Sequence, residues 1–135
     1  MVDETICLTD LMATVADLLH VPLPADAGED SFSILPLLLG LDVGNPIREA
    51  TVHHSSEGMF AIRQAAWKLV DGRGSGGFSE PKFYQPKPGE PEGELYHVLA
   101  DPEEKNNLFL QRPEIARQLK ALLEKYKADG RSRPL

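Results

Sequence analysis

Any chemistry in this chain has to come from a few side chains, and the most suggestive are the adjacent histidines His53-His54. Imidazole is a metal ligand, a proton shuttle and a hydrogen-bonding group near neutral pH. Neighbouring residues of a strand project to opposite faces, so this pair cannot close on one metal ion. One ring is expected to face the core or a partner, and the other solvent or a site. Cys7 lies just before a helix, where a thiolate is favoured, but Ile6 and Leu8 flank it and a buried, inert thiol is the expectation. As the one cysteine, it excludes an intrachain disulfide and a cysteine-based zinc site. Asp71-Gly72-Arg73-Gly74 has the glycines of a phosphate loop without its Lys-Ser/Thr, so it reads as a flexible turn. There is no Gly-x-Ser-x-Gly elbow and no His-Glu-x-x-His pair. Glu103-Glu104-Lys105 reads as a solvated turn and Lys120/Glu124 as a helix-surface pair. No nucleophile constellation and no metal-ligand set is visible.

The elements that must position these groups centre on residues 59–70. Met59–Arg63 and Trp67–Val70 read as two strands joined by Gln64-Ala65-Ala66, a link of hairpin length without the usual Gly or Asn. Alternation puts Phe60 with Ile62, and Trp67 with Leu69, on one face; Arg63 and Lys68 point the other way. A lone hairpin is marginal, so further segments must pair with it or cover it. Ala50–His54 and Glu94–Val98 supply strands. Pro113 suits the first turn of a closing helix with Ile115, Leu119, Leu122, Leu123 and Tyr126 on its apolar face. Upstream, Thr9 or Asp10 caps a helix reaching about Leu19, ended by Pro22 and Pro24, and Ser33 caps a short helix stopped by Gly40. The expected fold class is α+β: two N-terminal helices, then an antiparallel sheet of about four strands packed against a C-terminal helix.

The length of 135 residues suits one modest core, and 41% apolar with 26% charged residues is ordinary for a globular chain. A net charge of −7 argues against a nucleic-acid partner, and no stretch is apolar for long enough to span a bilayer, so no membrane partner is expected. Many of the 11 Pro and 11 Gly fall in residues 71–93, one long loop of the kind that is functional or mobile. The abrupt opening at Met1 reads as a piece of a longer protein. The first 40 residues carry more apolar surface than a small sheet can bury. Leu11, Val15, Leu18 and the leucines Leu35, Leu37, Leu38 and Leu39 are therefore expected to dock on a partner, or to self-associate.

Six landmarks, in order, resemble the C-terminal region of sulfatases of the arylsulfatase and N-acetylgalactosamine-6-sulfatase type. Thr9-Asp10-Leu11-Met12-Ala13-Thr14 resembles that family's D-L-x-x-T helix, followed by Val21-Pro22-Leu23-Pro24. Residues 31–40 resemble S-L-x-P-L-L-x-G. Ala61-Ile62-Arg63 with Trp67-Lys68-Leu69-Val70 is similar to A-I-R-x-G-x-W-K-L-I, with Ala65 where Gly is usual. Glu94-Leu95-Tyr96-His97-Val98 and Asp101-Pro102 through Leu108 resemble E-L-Y-D-L and D-P-x-E-x-x-N-L.

The resemblance implies a catalytic domain that these residues do not contain. The family's nucleophile is a formylglycine made from the Cys or Ser of a C/S-x-P/A-x-R motif; Cys7-Leu8-Thr9-Asp10-Leu11 lacks both the small residue and the Arg. The family's calcium ligands and catalytic His and Lys belong to the same absent domain, so no catalytic or metal-ligating residue is assigned here. Residues 1–135 read as one sulfatase-like C-terminal domain: a helical segment, 1–40, that would pack on the catalytic domain, and a sheet with its helix, 47–135. By resemblance His53, His54 and Arg73 are the candidate substrate-binding residues, since a histidine or Arg73 can hydrogen-bond a sulfate ester or the attached sugar. Two functions follow as expectations: a fragment of a sulfuric-ester hydrolase, inactive alone, or a free-standing interaction module derived from such a domain. The partners implied are a sulfatase catalytic domain and a sulfated carbohydrate.

Overall fold

The structure is a computed structural model describing residues 4–41 and 43–134; the opening Met1-Val2-Asp3 and Asp42 of the 42–46 link lie outside the described residues. The element order is α1 (Asp10–Leu18), α2 (Leu35–Leu38), β1 (Thr51–His54), β2 (Phe60–Gln64), β3 (Trp67–Val70), β4 (Glu94–His97) and α3 (Pro113–Asp129). This is the α+β fold expected. The chain forms two compact units, one of residues up to 51 together with those from 126, the other of residues 52–125.

In the first unit α1 starts without a side-chain cap: Thr9 already has helical dihedrals. Asp10 is fully buried instead, accepting the Cys7 N–H at 2.8 Å and the Phe32 N–H at 3.1 Å, and pairing with the buried Arg48 guanidinium. One turn on, Thr14 donates to the Asp10 carbonyl at 2.6 Å and accepts the Ile34 N–H at 3.0 Å; the Ala13 N–H donates to Ser31 Oγ at 2.8 Å. These bonds knit α1 to the run 31–34 that leads into α2. The end of α1 is set before the prolines. His20 takes φ +57°, so its N–H reaches the Asp17 carbonyl and that of Val21 the Ala16 carbonyl, a pattern that satisfies the last carbonyls of a helix. Gly40 ends α2 in the same way, with φ +70°. The cap of α2 falls on Ile34, while Ser33 Oγ accepts the Leu35 N–H at 3.3 Å. The C-terminal tail also belongs to this unit: Arg133 donates to the carbonyls of Pro24, Ala27 and Gly28, and Ser132 to Asp30.

The second unit is a meander, strand order β1-β2-β3-β4. Register puts Ile62 opposite Leu69 and Leu69 opposite Leu95, and all three are at most 1% exposed. They form one continuous apolar row, because directly opposite side chains on one face touch. The next row on the other face is Arg63, Lys68 and Tyr96. The hairpin loop is two residues, Ala65-Ala66, rather than three, since Gln64 pairs with Trp67. Ala65 carries the cost with φ +50°, a conformation that glycine adopts without strain. The α3 residues Ala116, Leu119 and Leu123 are buried, at the helical spacing the sequence indicates. Lys120 of α3 is an ion partner of Asp71 at 3.0 Å, not simply a partner along its own helix.

Candidate functional site

The two histidines of β1 are both exposed and meet different neighbours. His54 lies edge-on to Phe60, ring centres 5.9 Å apart, with Nδ1 2.8 Å from the Ser55 carbonyl. His53 feels a different group, the ion pair of Lys68 with Glu104, whose Nζ is 2.8 Å from both carboxylate oxygens. Although the residue keeps an exposed edge, desolvation by its neighbours first, and then the Lys68 charge, hold the His53 imidazole below its ordinary pKa, with Glu104 opposing and His54 adding to the shift. Glu104 is thereby taken out of the solvated turn in which the sequence placed it.

Arg73 sits in a denser polar cluster. Its guanidinium carbon lies 4.6 Å from the centre of the Tyr84 ring, with Glu90 at 3.7 Å and Glu94 at 4.0 Å. Tyr84 donates to Glu90 at 2.6 Å, and Tyr96 to Glu94 at 3.0 Å. Those hydrogen bonds have the expected electrostatic sign. The Glu90 bond pushes the Tyr84 hydroxyl up, the same bond holds Glu90 down, and burial followed by the Glu94 charge pushes Tyr96 far up. The Arg73 Nε is buried without a hydrogen-bond partner, so the guanidinium is held by charge and stacking rather than by short bonds.

Two glycines of the loop tip after Arg73 serve close packing. A Cβ on Gly76 would stand 2.4 Å from Ser55 Oγ, and one on Gly77 would stand 2.3 Å from Ser56 Oγ. The Gly76 carbonyl accepts the Glu57 N–H, and the Gly76 N–H donates to the Lys82 carbonyl. The tip of the 71–93 loop is thus braced against the turn after β1. A cleft of about 330 Å³ opens beside it, walled by Phe60, Phe83 and Tyr84 and by Asp71, Arg73 and Glu92.

Of the sequence-derived candidates, Arg73 lines this cleft, and His54 touches it only through Phe60. His53 lies instead within the electrostatic reach of the Lys68–Glu104 pair. Sequence reasoning missed Phe83, Tyr84 and the carboxylates around Arg73; the usable signal was two adjacent aromatics inside a proline-rich return. Among the described residues no three His, Cys, Asp or Glu side chains gather as a metal cage. The described residues thus gather no such cage for calcium, whose ligands the resemblance places on a domain outside these residues, and Cys7 does not sit in a formylglycine motif.

Comparison with known proteins shows that the chain is similar to sulfatases. No protein-family model matches the chain. An N-acetylgalactosamine-6-O-sulfatase of Bacteroides thetaiotaomicron is 37% identical over 119 residues, covering 87% of this chain and 22% of that protein. A solved structure from glycosaminoglycan metabolism in Bacteroides thetaiotaomicron superposes with TM-score 0.69 at 36% identity, over 88% of this chain and 24% of its own. A protein solved with its substrate D-glucosamine-2-N,6-O-disulfate gives TM-score 0.60 at 25% identity, over 88% and 23%. A 2-O GAG sulfatase shares the fold, with TM-score 0.60. The likeness to a sulfatase C-terminal segment therefore rests on sequence and on fold. The chain spans between about a fifth and a quarter of the length of the relatives it matches.

Proposed function

We propose that this chain is the C-terminal portion of a sulfuric-ester hydrolase acting on sulfated sugars or aryl sulfates, that it helps to shape the substrate pocket, and that it performs no catalysis by itself. The observation that carries the reading is where the sulfatase-like motif residues spend their bonds. Asp10 and Thr14 hold the N-terminal helix to the run before α2. Lys68 pairs with Glu104, and the Asn107 side chain accepts the Leu95 N–H at 3.1 Å and donates to the Gly93 carbonyl at 3.1 Å. Each of these side chains braces the fold, and none is poised as a nucleophile. His53, His54 and Arg73 are the substrate-side residues of this reading: the histidines are nitrogen donors able to meet sugar hydroxyls or a sulfate ester, and Arg73, set between Glu90 and Glu94, is a donor to sugar hydroxyls.

A catalytic segment is the partner of this reading. Leu11, Met12, Val15, Leu18, Leu19, Leu38 and Leu39 are between 50% and 67% exposed, an apolar face on α1 and α2 in need of cover. The test is hydrolysis of a chromogenic aryl sulfate with added calcium. The 135-residue chain is expected to match a boiled control; turnover that survives repurification would overturn the assignment.

A further inference from the structure

The cleft beside Arg73 has a ligand preference that its charges and surfaces define. Three aromatic rings, Phe60, Phe83 and Tyr84, wall it, and at about 330 Å³ it is the size of a small site, near the lower end of the roughly 300–1,000 Å³ usual for ligand pockets. Its polar wall is not a free anion receptor. Arg73 lies between Glu90 and Glu94, and Asp71 and Glu92 line the same space. With Lys120 on Asp71, two cations stand against four carboxylates, so a sulfate or phosphate group entering here meets net negative charge. The carboxylates do not call for a cation either, because Lys120, Arg73 and the hydroxyls of Tyr84 and Tyr96 already engage three of them.

We propose that this cleft is a subsite for an uncharged pyranose ring of a glycan, with the sulfated unit lying elsewhere. The apolar C–H face of such a ring stacks on aromatic side chains, and its hydroxyls donate to carboxylates and accept from a guanidinium. Asp71 and Glu92 supply the acceptors, and Arg73 the donor. Phe83 supplies an accessible platform, about half of its surface being open. This refines the function proposed above and takes its glycan context from it.

The test is NMR titration of the 135-residue chain at low ionic strength with D-galactose, N-acetyl-D-galactosamine and N-acetyl-D-galactosamine 6-sulfate. The two neutral sugars should shift the amides of Gly72, Arg73, Tyr84 and Gln85 saturably, with affinities of roughly millimolar order. The sulfated sugar should bind there more weakly than its neutral counterpart. Phe83→Ala should weaken neutral-sugar binding by roughly fivefold or more while leaving the amides of β2 to β4 in place. Tighter binding of the sulfated sugar, or no shift at these amides with any sugar, would overturn the proposal. So would equal binding by Phe83→Ala. A chain that ignores sugars yet completes a sulfatase when joined to a catalytic segment would sink the subsite alone. Sugar binding without such completion would sink the wider reading.

Discussion

Asp10 shows how one residue can belong to a motif without belonging to an active site. Its carboxylate is fully buried, meets the Arg48 guanidinium and accepts two backbone N–H groups; Arg48 in turn lies over the Phe32 ring at 4.7 Å. Removing one partner of such a pair leaves the other charge buried and uncompensated. Asp10→Ala is expected to destabilise the fold by about 3–5 kcal/mol, read from the urea midpoint at constant slope. His53 gives a titration test. Its folded pKa lies below the ordinary 6.5, so above pH 6.5 the native and unfolded states bind the same number of protons. As pH falls through that window the unfolded state takes up the proton first, and the contribution to stability is lost with acid. An imidazole NMR titration should place the His53 midpoint below 6.5, and Lys68→Met should raise it. A midpoint unmoved by that variant would mean that Lys68 does not act on the ring.

Among the elements, the sheet and α3 were the most legible in the sequence, because period-two and helical spacing report buried faces directly. Ile62, Leu69, Leu119 and Leu123 were all readable in this way. The starts and ends of elements were less so. A buried ion pair took Asp10 away from capping, and positive φ at His20 and Ala65 did work usually left to glycine. The candidate site was less legible still. Arg73 and the two histidines could be picked out, but the cleft around Arg73 depends on residues brought from 60 to 92 by loop packing, which no local periodicity encodes. The helix tests the core: Leu119 is 2% exposed, and Leu119→Ala should cost about 2–5 kcal/mol. A change near that of a surface substitution, about 0.5 kcal/mol or less, would show that α3 is not docked.

For the whole molecule, the decisive feature is the contrast between satisfied polar motifs and unsatisfied apolar helices. The polar braces close on themselves within each unit, whereas the exposed face of α1 and α2 presents Leu11, Val15 and Leu18 to solvent. Burying apolar surface is worth about 25 cal/mol per Å², so under the function proposed above this face is where a catalytic segment is expected to pack. If the function proposed above holds, sequencing the gene upstream of these residues is expected to find a C/S-x-P/A-x-R motif, and its absence there would count against that function. The most direct measurement is sulfate release from a sulfated sugar by the joined polypeptide, compared with the 135-residue chain and with a joined Leu11→Glu/Val15→Glu variant. Release by the joined protein alone, lost in the variant while the Ile62–Leu69–Leu95 sheet stays folded, is the expected result. Release by the short chain, or full activity in the variant, would contradict the account.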